Sequence, residues 1–358
     1  MFSHRAQWFA PLNELTIDRR KRGELLDLTE TNPTRAFDYP DLSAALARGA
    51  NAPYEPDPRG LRAARETLGR HLDCEPDDLL LTASTSEAYS FLFKLLCDPG
   101  DEVLTPVPSY PLLEHLAAME LVTLRPFAME FHRRWEIHDV PVSDRTRAIV
   151  VVNPNNPTGS FVTPREQDAL AALGLPIISD EVFLDYPLDA TGTSFLRDDV
   201  LTFTLGGLSK SAGLPHVKLG WIRVSGPGKS EALEALELIA DNFLSVATPV
   251  QVALPELLRI GADIRAMISA RTRANLATLR SLATPAMQVL PVEGGWSAVI
   301  RVPRVMSDDE LALALLDRGV VVQPGYFFDF ASEGYAVVSL LTREEVFGEG
   351  VRRLVTIF

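Results

Sequence analysis

Cysteine is nearly missing from this chain. Two residues, Cys74 and Cys97, stand among 358, which excludes a disulfide framework. Positive charge is short as well: 34 lysines and arginines face 48 aspartates and glutamates, for a net charge of −14. Phosphate backbones and anionic lipid repel such a chain, which argues against nucleic acid and membrane surfaces as partners. No apolar run is long enough to span a bilayer, and Met1 to Pro11 carry neither a long apolar core nor a cleavage-like site. The expected location is cytoplasmic. Internal repeats and low-complexity segments are absent. No Gly-x-Gly-x-x-Gly or Walker lysine pattern follows a strand-like run, which removes the main nucleotide-binding reading. No metal site is expected. What the chain does have is length and apolar content: 46% hydrophobic residues can bury a large core and suggest two domains.

Lysine is scarce too, and that scarcity is informative. There are five: Lys21 in a basic run, Lys94 in a helical pattern, Lys229 in a polar loop, and the pair Lys210 and Lys218. The pair lies in the stretch Leu205 to Gly220. Val200 to Leu205 reads as a buried strand leading in, and Val217 to Val224 as a strand leading out. Between them come Gly206, Gly207, Ser209, Lys210 and a Gly213-Leu214-Pro215 turn. A lysine on a small-residue turn between buried strands has lost part of its hydration. Deprotonation then costs less, and the side chain can act as a nucleophilic amine. Such a lysine suits a Schiff base with an aldehyde, pyridoxal phosphate above all. The alternative is a surface lysine on an ordinary turn; elimination among the five favours the functional reading of this stretch and its pair.

Further landmarks recur at strand ends. Asp78 to Ala83 reads as a strand, followed by a helix from Ser84-Thr85-Ser86-Glu87 to about Cys97. Ser84 and Glu87 form a capping-box pattern. The free N–H groups, hydroxyls and positive dipole end there also suit a phosphate. The strand Glu102 to Thr105 ends in a proline-flanked Tyr110. Arg147 to Val152 ends in Asn153-Pro154-Asn155-Asn156-Pro157-Thr158-Gly159, and Leu175 to Ser179 ends at Asp180. Ser84 to Ser86, Tyr110, Asn156, Asp180 and Lys210 thus follow successive strands, where an open parallel α/β sheet places its ligand crevice. Beyond Gly228 the pattern is helical. An amphipathic run, Asp263 to Leu282, reads as a connector to a small α/β unit with a helix near Asp308 to Arg318. The strands of that unit run to Val302, over Val320 to Gln323 and over Ala336 to Leu340. The expected domains are 1–40 (an N-terminal arm and part of the small domain), 41–262 (large) and 263–358 (small).

On these residues the chain resembles the class I/II pyridoxal-phosphate-dependent aminotransferases of fold type I. The resemblance implies an α/β fold, with a mainly parallel, seven-stranded-type sheet in the large domain and a small α/β domain. It implies that Lys210 carries the cofactor and that Asp180 pairs with the pyridine nitrogen. Asn156 bonds the phenolic oxygen and Tyr110 stacks on the ring. Ser84, Thr85, Ser86, Ser209 and Lys218 hold phosphate. Tyr54, in a Tyr-x-x-x-x-x-Gly-Leu pattern with Gly60 and Leu61, reaches the cofactor phosphate of a neighbouring subunit, so the resemblance implies a homodimer with shared active sites. Thr31 and Asn32 belong to an arm lying beside the substrate. The Gly294-Gly295-Trp296 and Pro324-Gly325 segments match loops facing the cleft.

Several positions depart from that pattern. Lys218 stands where arginine is usual, Gly207 where a phosphate-binding serine is common, and Phe183 where a tyrosine donates to the phenolic oxygen. In the last strand Val337-Val338-Ser339-Leu340 replaces Arg-Leu-Ser-Phe, so Val337 takes the place of the arginine that clamps the substrate carboxylate. Three routes stay open: Arg343 or Arg35 reaches in, backbone N–H groups of the arm act with Asn156, or the donor lacks an α-carboxylate. Aromatic residues of Gly325-Tyr326-Phe327-Phe328 are expected to line the side-chain pocket and favour apolar donors. The implied activity is transfer of an amino group between an amino acid and a 2-oxo acid. The alternatives are C–S β-elimination with the same cofactor and a non-catalytic pyridoxal-phosphate-binding protein. A regulator with a DNA-binding domain has neither room nor charge here.

Overall fold

The apolar runs assigned to strands of the large domain all join one eight-stranded sheet in the computed structural model, which describes residues 12–358 together with Ser3 and Arg5. The other residues of the Met1 to Pro11 start, part of the expected arm, lie outside the described residues. Across the sheet the strands are Leu79–Thr82, Gly220–Ser225, Thr202–Gly207, Ile177–Asp180, Thr146–Val152, Glu102–Val107, Thr123–Phe131 and Trp135–Ile137. The run from Thr202–Gly207 to Thr123–Phe131 is parallel throughout. Gly220–Ser225 is antiparallel to both neighbours, and Trp135–Ile137 is antiparallel at the far edge. This last strand is the eighth, closing a hairpin that no sequence signal had marked.

The central strands are apolar on both faces because both faces are covered. On one side Leu80, Ile178, Phe203 and Ile222 pack with Phe91, Leu92 and Leu236 of the helices Thr85–Leu96 and Lys229–Asp241. On the other, Leu79, Leu81 and Trp221 pack with Leu68 of the helix Arg62–Leu72 and Leu254 and Leu257 of the helix Thr248–Leu282. Each such side chain contributes about 1.5–3 kcal/mol when fully buried.

The helix Thr248–Leu282 is a single run of 35 residues, so the expected boundary at 262/263 falls inside it. Its earlier turns, as far as Ile268, join the core of the large sheet through Ile260, Ile264 and Ile268. Its last turns join a second core through Leu276 and Leu279, alongside Leu28, Ala298, Ile300 and Val338. That second core lies against an antiparallel sheet ordered Gln288–Val289, Ser297–Arg301, Tyr335–Ser339, Gln323–Pro324. The arm strand Leu26–Asp27 pairs in parallel with Val320–Val321. A final helix, Glu344–Val355, was not anticipated. Its Phe347, Val351 and Leu354 follow the i, i+4, i+7 spacing of a buried helical face.

The lysine segment differs in detail from its sequence reading. The entering strand, Thr202–Gly207, includes both glycines, and the leaving strand starts only at Gly220. Val217 to Leu219 stay in the turn, where Lys218 has a φ of 53° that a strand cannot contain. Gly220 permits the closest approach: a Cβ there would lie 3.1 Å from the Gly206 oxygen, the Ser84 carbonyl carbon and Thr82 Oγ1. Close packing at this glycine brings the Ser84 loop against the lysine strand.

Candidate functional site

The strand ends open into a cleft of about 380 Å³. Lys210 sits at its floor on the four-residue helix Leu208–Ser211, directly after the strand Thr202–Gly207. Two bonds fix that helix: Ser211 Oγ donates to the Gly207 carbonyl at 3.0 Å, and Tyr186 Oη donates to the Lys210 carbonyl at 2.6 Å. Nζ is left to the cleft, 5.2 Å from the Trp296 ring centroid and 5.9 Å from that of Phe183. Burial pushes its pKa below the ordinary lysine value, and the Asp180 carboxylate pulls part of the way back.

Asp180 closes the strand Ile177–Asp180. Burial pushes its pKa up to about 6, against the Val182 N–H at 3.2 Å, the Tyr89 hydroxyl at 3.1 Å and the charge of Lys210. Tyr89 was not singled out from the sequence. Its signal was available, because it follows Thr85 by four residues and so shares a face of the helix Thr85–Leu96.

At the head of that helix, Ser84 Oγ accepts from the Glu87 N–H at 3.3 Å. The capping box is only half made, since the Glu87 carboxylate takes the Ala83 N–H and the Ser245 hydroxyl instead. The hydroxyls of Thr85, Ser86 and Ser209 and the ammonium of Lys218 line the cleft and make no hydrogen bond among the described residues. Unspent donors, two lysines and a helix N-terminus suit a dianionic phosphate. Beside them the aldehyde of pyridoxal phosphate suits Lys210, its ring nitrogen Asp180 and its ring face Tyr110. The residues present therefore fit that cofactor. Gly207 has a packing reason: a Cβ there would sit 3.2 Å from the Gly220 Cα and 3.3 Å from the Leu219 oxygen, tighter than a serine normally tolerates.

Asn156 lies on the opposite wall. Its Oδ1 accepts from Ser297 Oγ at 3.2 Å, which leaves the amide NH2 without a partner. Phe183 lines the cleft edge-on to Trp296, ring centroids 5.2 Å apart, and supplies no hydroxyl. Thr31 also lines it, while Asn32 borders an adjoining recess and caps the helix Pro33–Ala36 through the Thr34 N–H.

Other expected residues stand apart. Tyr54 is 69% exposed and outside this cleft. Tyr326 turns away, its hydroxyl donating to Asp309 at 2.6 Å; of the Gly325 to Phe328 segment only Phe328 lines the cleft. Arg343 is exposed at the start of the helix Glu344–Val355, and the exposed Arg35 faces Glu30 at 4.0 Å. Neither lines the cleft. Val337 is fully buried in a cluster with Val299, Leu290 and Phe328. Gln323, Ser297 and Trp296 complete the wall. The sequence reading had assigned no role to Gln323 or Ser297, because nothing local marks which strand residues face the cleft.

The fold recurs in solved structures. An alanine aminotransferase from Pyrococcus furiosus superposes with a TM-score of 0.87 at 23% identity, covering 100% of this chain and 99% of that one. Among curated proteins, nicotianamine aminotransferase 1 of Oryza sativa subsp. japonica is 29% identical over 271 residues, which is 68% of this chain and 55% of that protein. An S-alkyl-thiohydroximate lyase of Arabidopsis thaliana is 32% identical over 216 residues, 55% of this chain and 46% of that protein. The chain thus spans about half the length of these curated relatives. No helix among the described residues is long and apolar enough to cross a membrane. Residues 23–347, most of the chain, match the family model for aminotransferase class I and II, and the chain belongs to that family.

Proposed function

We propose that the chain is a pyridoxal-phosphate-dependent aminotransferase moving an amino group between a monocarboxylic amino acid with an apolar or small side chain and a 2-oxo acid. The observation that carries this reading is the placing of Lys210 and Asp180 together in one cleft whose phosphate-suited donors are unspent. When bound, the cofactor supplies the electron sink for a carbanion at the substrate's α-carbon. Lys210 holds it through Nζ. Burial lowers the proton affinity of Nζ, which suits it, once free, to take and return the proton of the substrate's α-carbon. Asp180 would keep the ring nitrogen charged, and the Tyr89 hydroxyl favours the ionised form of Asp180 and orients it. The Asn156 NH2 would hold the phenolic oxygen, Tyr110 would cover the ring, and Thr85, Ser86, Ser209 and Lys218 would hold the phosphate. Phe183, Trp296 and Phe328 exclude water around the reacting carbon.

The chain works as a cytoplasmic homodimer in this reading. Tyr54, exposed and remote from its own cleft, is free to reach the site of a second copy. A second reading is C–S β-elimination, favoured by the similarity to the thiohydroximate lyase. One experiment separates them. The loaded enzyme is given alanine, leucine, phenylalanine, aspartate or glutamate at equal concentration with a 2-oxo acid, and separately an S-alkyl cysteine. New amino acid formed fastest from the apolar donors supports transamination. Thiol and pyruvate from the S-alkyl cysteine without amino transfer would replace it with the lyase reading. Preference for aspartate or glutamate would refute the apolar pocket.

A further inference from the structure

The cleft contains no arginine: among the described residues its only cationic side chains are Lys210 and Lys218, both placed to serve the cofactor. The small sheet explains what stands in the empty role. Val337 lies directly opposite Gln323 on one neighbouring strand and opposite Val299 on the other. Residues opposite each other across a ladder share a face of the sheet. Ser297, two residues before Val299, shares that face too. Along this face Val299 and Val337 are sealed in an apolar cluster with Phe328, while Ser297 and Gln323 reach the cleft. The side chain able to meet a substrate has therefore moved one strand over from the Val337 position. The Gln323 amide has no hydrogen-bond partner among the described residues. Asn156 offers a second unspent NH2, because Ser297 occupies its oxygen. An amide NH2 has two donors, so Asn156 can serve the cofactor's phenolic oxygen and a substrate oxygen together.

We infer that Gln323 replaces the arginine, holding the α-carboxylate of the amino-acid donor by neutral amide hydrogen bonds shared with Asn156. This rests on the aminotransferase reading and narrows it. A carboxylate held without a formal counter-charge is bound by about 10- to 100-fold per charge-assisted bond, less than a bidentate guanidinium provides. Among the described residues no further cation lines the cleft to meet a second carboxylate on the donor. The site is thus built for monocarboxylic amino acids and discriminates only modestly against amines of the same shape.

The test compares 2-methylalanine with tert-butylamine, in which a methyl group replaces the carboxylate. Neither has an α-hydrogen, so both stop at displacing Lys210, and Kd is read from the absorbance change of the bound cofactor. In the wild-type holoenzyme 2-methylalanine should bind about 10- to 100-fold more tightly. Gln323→Leu should cut that ratio by about 10-fold while leaving the tert-butylamine Kd unchanged, which also reports intact folding. Gln323→Arg should raise the ratio by about 10-fold or more. A ratio unmoved by both substitutions overturns this inference alone. No response of the wild-type holoenzyme to either ligand overturns the aminotransferase reading, and this inference with it.

Discussion

Tyr89→Phe removes a single oxygen, so it changes the proton affinity of Asp180 with little change in packing. The hydroxyl donates to Asp180 Oδ2 at 3.1 Å, and Tyr89 is only 4% exposed. A hydrogen bond to a charged acceptor contributes about 1.5–3 kcal/mol. At about 1.4 kcal/mol per decade, its loss raises the Asp180 pKa by at least about one. Asp180 stands at about 6 before the cofactor binds, so the variant should stand near about 7 or above. In the proposed reading the cofactor's ring nitrogen needs the ionised carboxylate. Pyridoxal-phosphate affinity should therefore fall about five- to tenfold relative to wild type at pH 6 and below, and the deficit should vanish above about pH 8. The assay is cofactor titration of the unloaded protein between pH 5 and 8.5, read by absorbance, with Asp180→Asn as the control lacking this inflection. Taking the ratio of the two proteins at each pH cancels the ionisations of the cofactor itself. A ratio that is constant with pH would show that Tyr89 does not set the ionisation of Asp180.

Further outcomes follow from single contacts. Lys210→Ala should lose the absorbance of covalently held cofactor; borohydride trapping of wild type followed by peptide mapping checks the position, and a label on Lys218 would refute it. Tyr54→Phe should weaken cofactor retention by about 0.5–1.5 kcal/mol, whereas a fully active monomer in sedimentation would remove the basis for that role. In the long helix a Cβ on Gly261 would lie 2.4 Å from the Ala212 Cβ, so Gly261→Val should cost about 1–3 kcal/mol and lower the urea midpoint; an unchanged midpoint would contradict the packing. Burial pushes Glu181 up to about 7 from an ordinary 4.5. The folded protein thus holds this proton more tightly than the unfolded chain, and stability is lost as pH rises between those values. Glu181→Gln should accordingly gain on wild type between pH 5 and pH 8, by at most about 3 kcal/mol; a difference that does not change with pH would refute the assignment.

The cofactor end of the site was legible because its parts are local. Ser84 to Ser86, Tyr110, Asn156, Asp180 and Lys210 each sit where an apolar run stops, and the sheet brings strand ends together whatever lies between them. Residues set by helical spacing, such as Tyr89, were within reach of the same reasoning but had no local signal of charge or turn chemistry. The substrate end was not legible, for a different reason. Which residue of a strand meets the cleft depends on register, and a displacement of one residue reverses every side chain. That valine stands at position 337 is plain from the sequence, and the structure buries it in an apolar cluster. What the sequence could not supply was the pairing that sets Gln323 opposite it, or the bond from Ser297 that turns the Asn156 amide, 141 residues away.

The same reasoning accounts for the misplaced aromatics. Tyr326 and Phe328 are two residues apart and would share a face in a strand. Gly325–Phe328 is instead a 3-10 turn, which sends Tyr326 to Asp309 and Phe328 to the cleft. A turn of that kind is fixed by what its flanks pack against. Phe328 is held in the cluster of Val337, Trp135 and Phe330, and Trp135 comes from the hairpin that the sequence did not reveal. The missing arginine, the buried valine and the turning of Phe328, alone of its segment, to the cleft are therefore one arrangement. An apolar plug occupies the place of a charged side chain, and recognition passes to the neutral amide beside it.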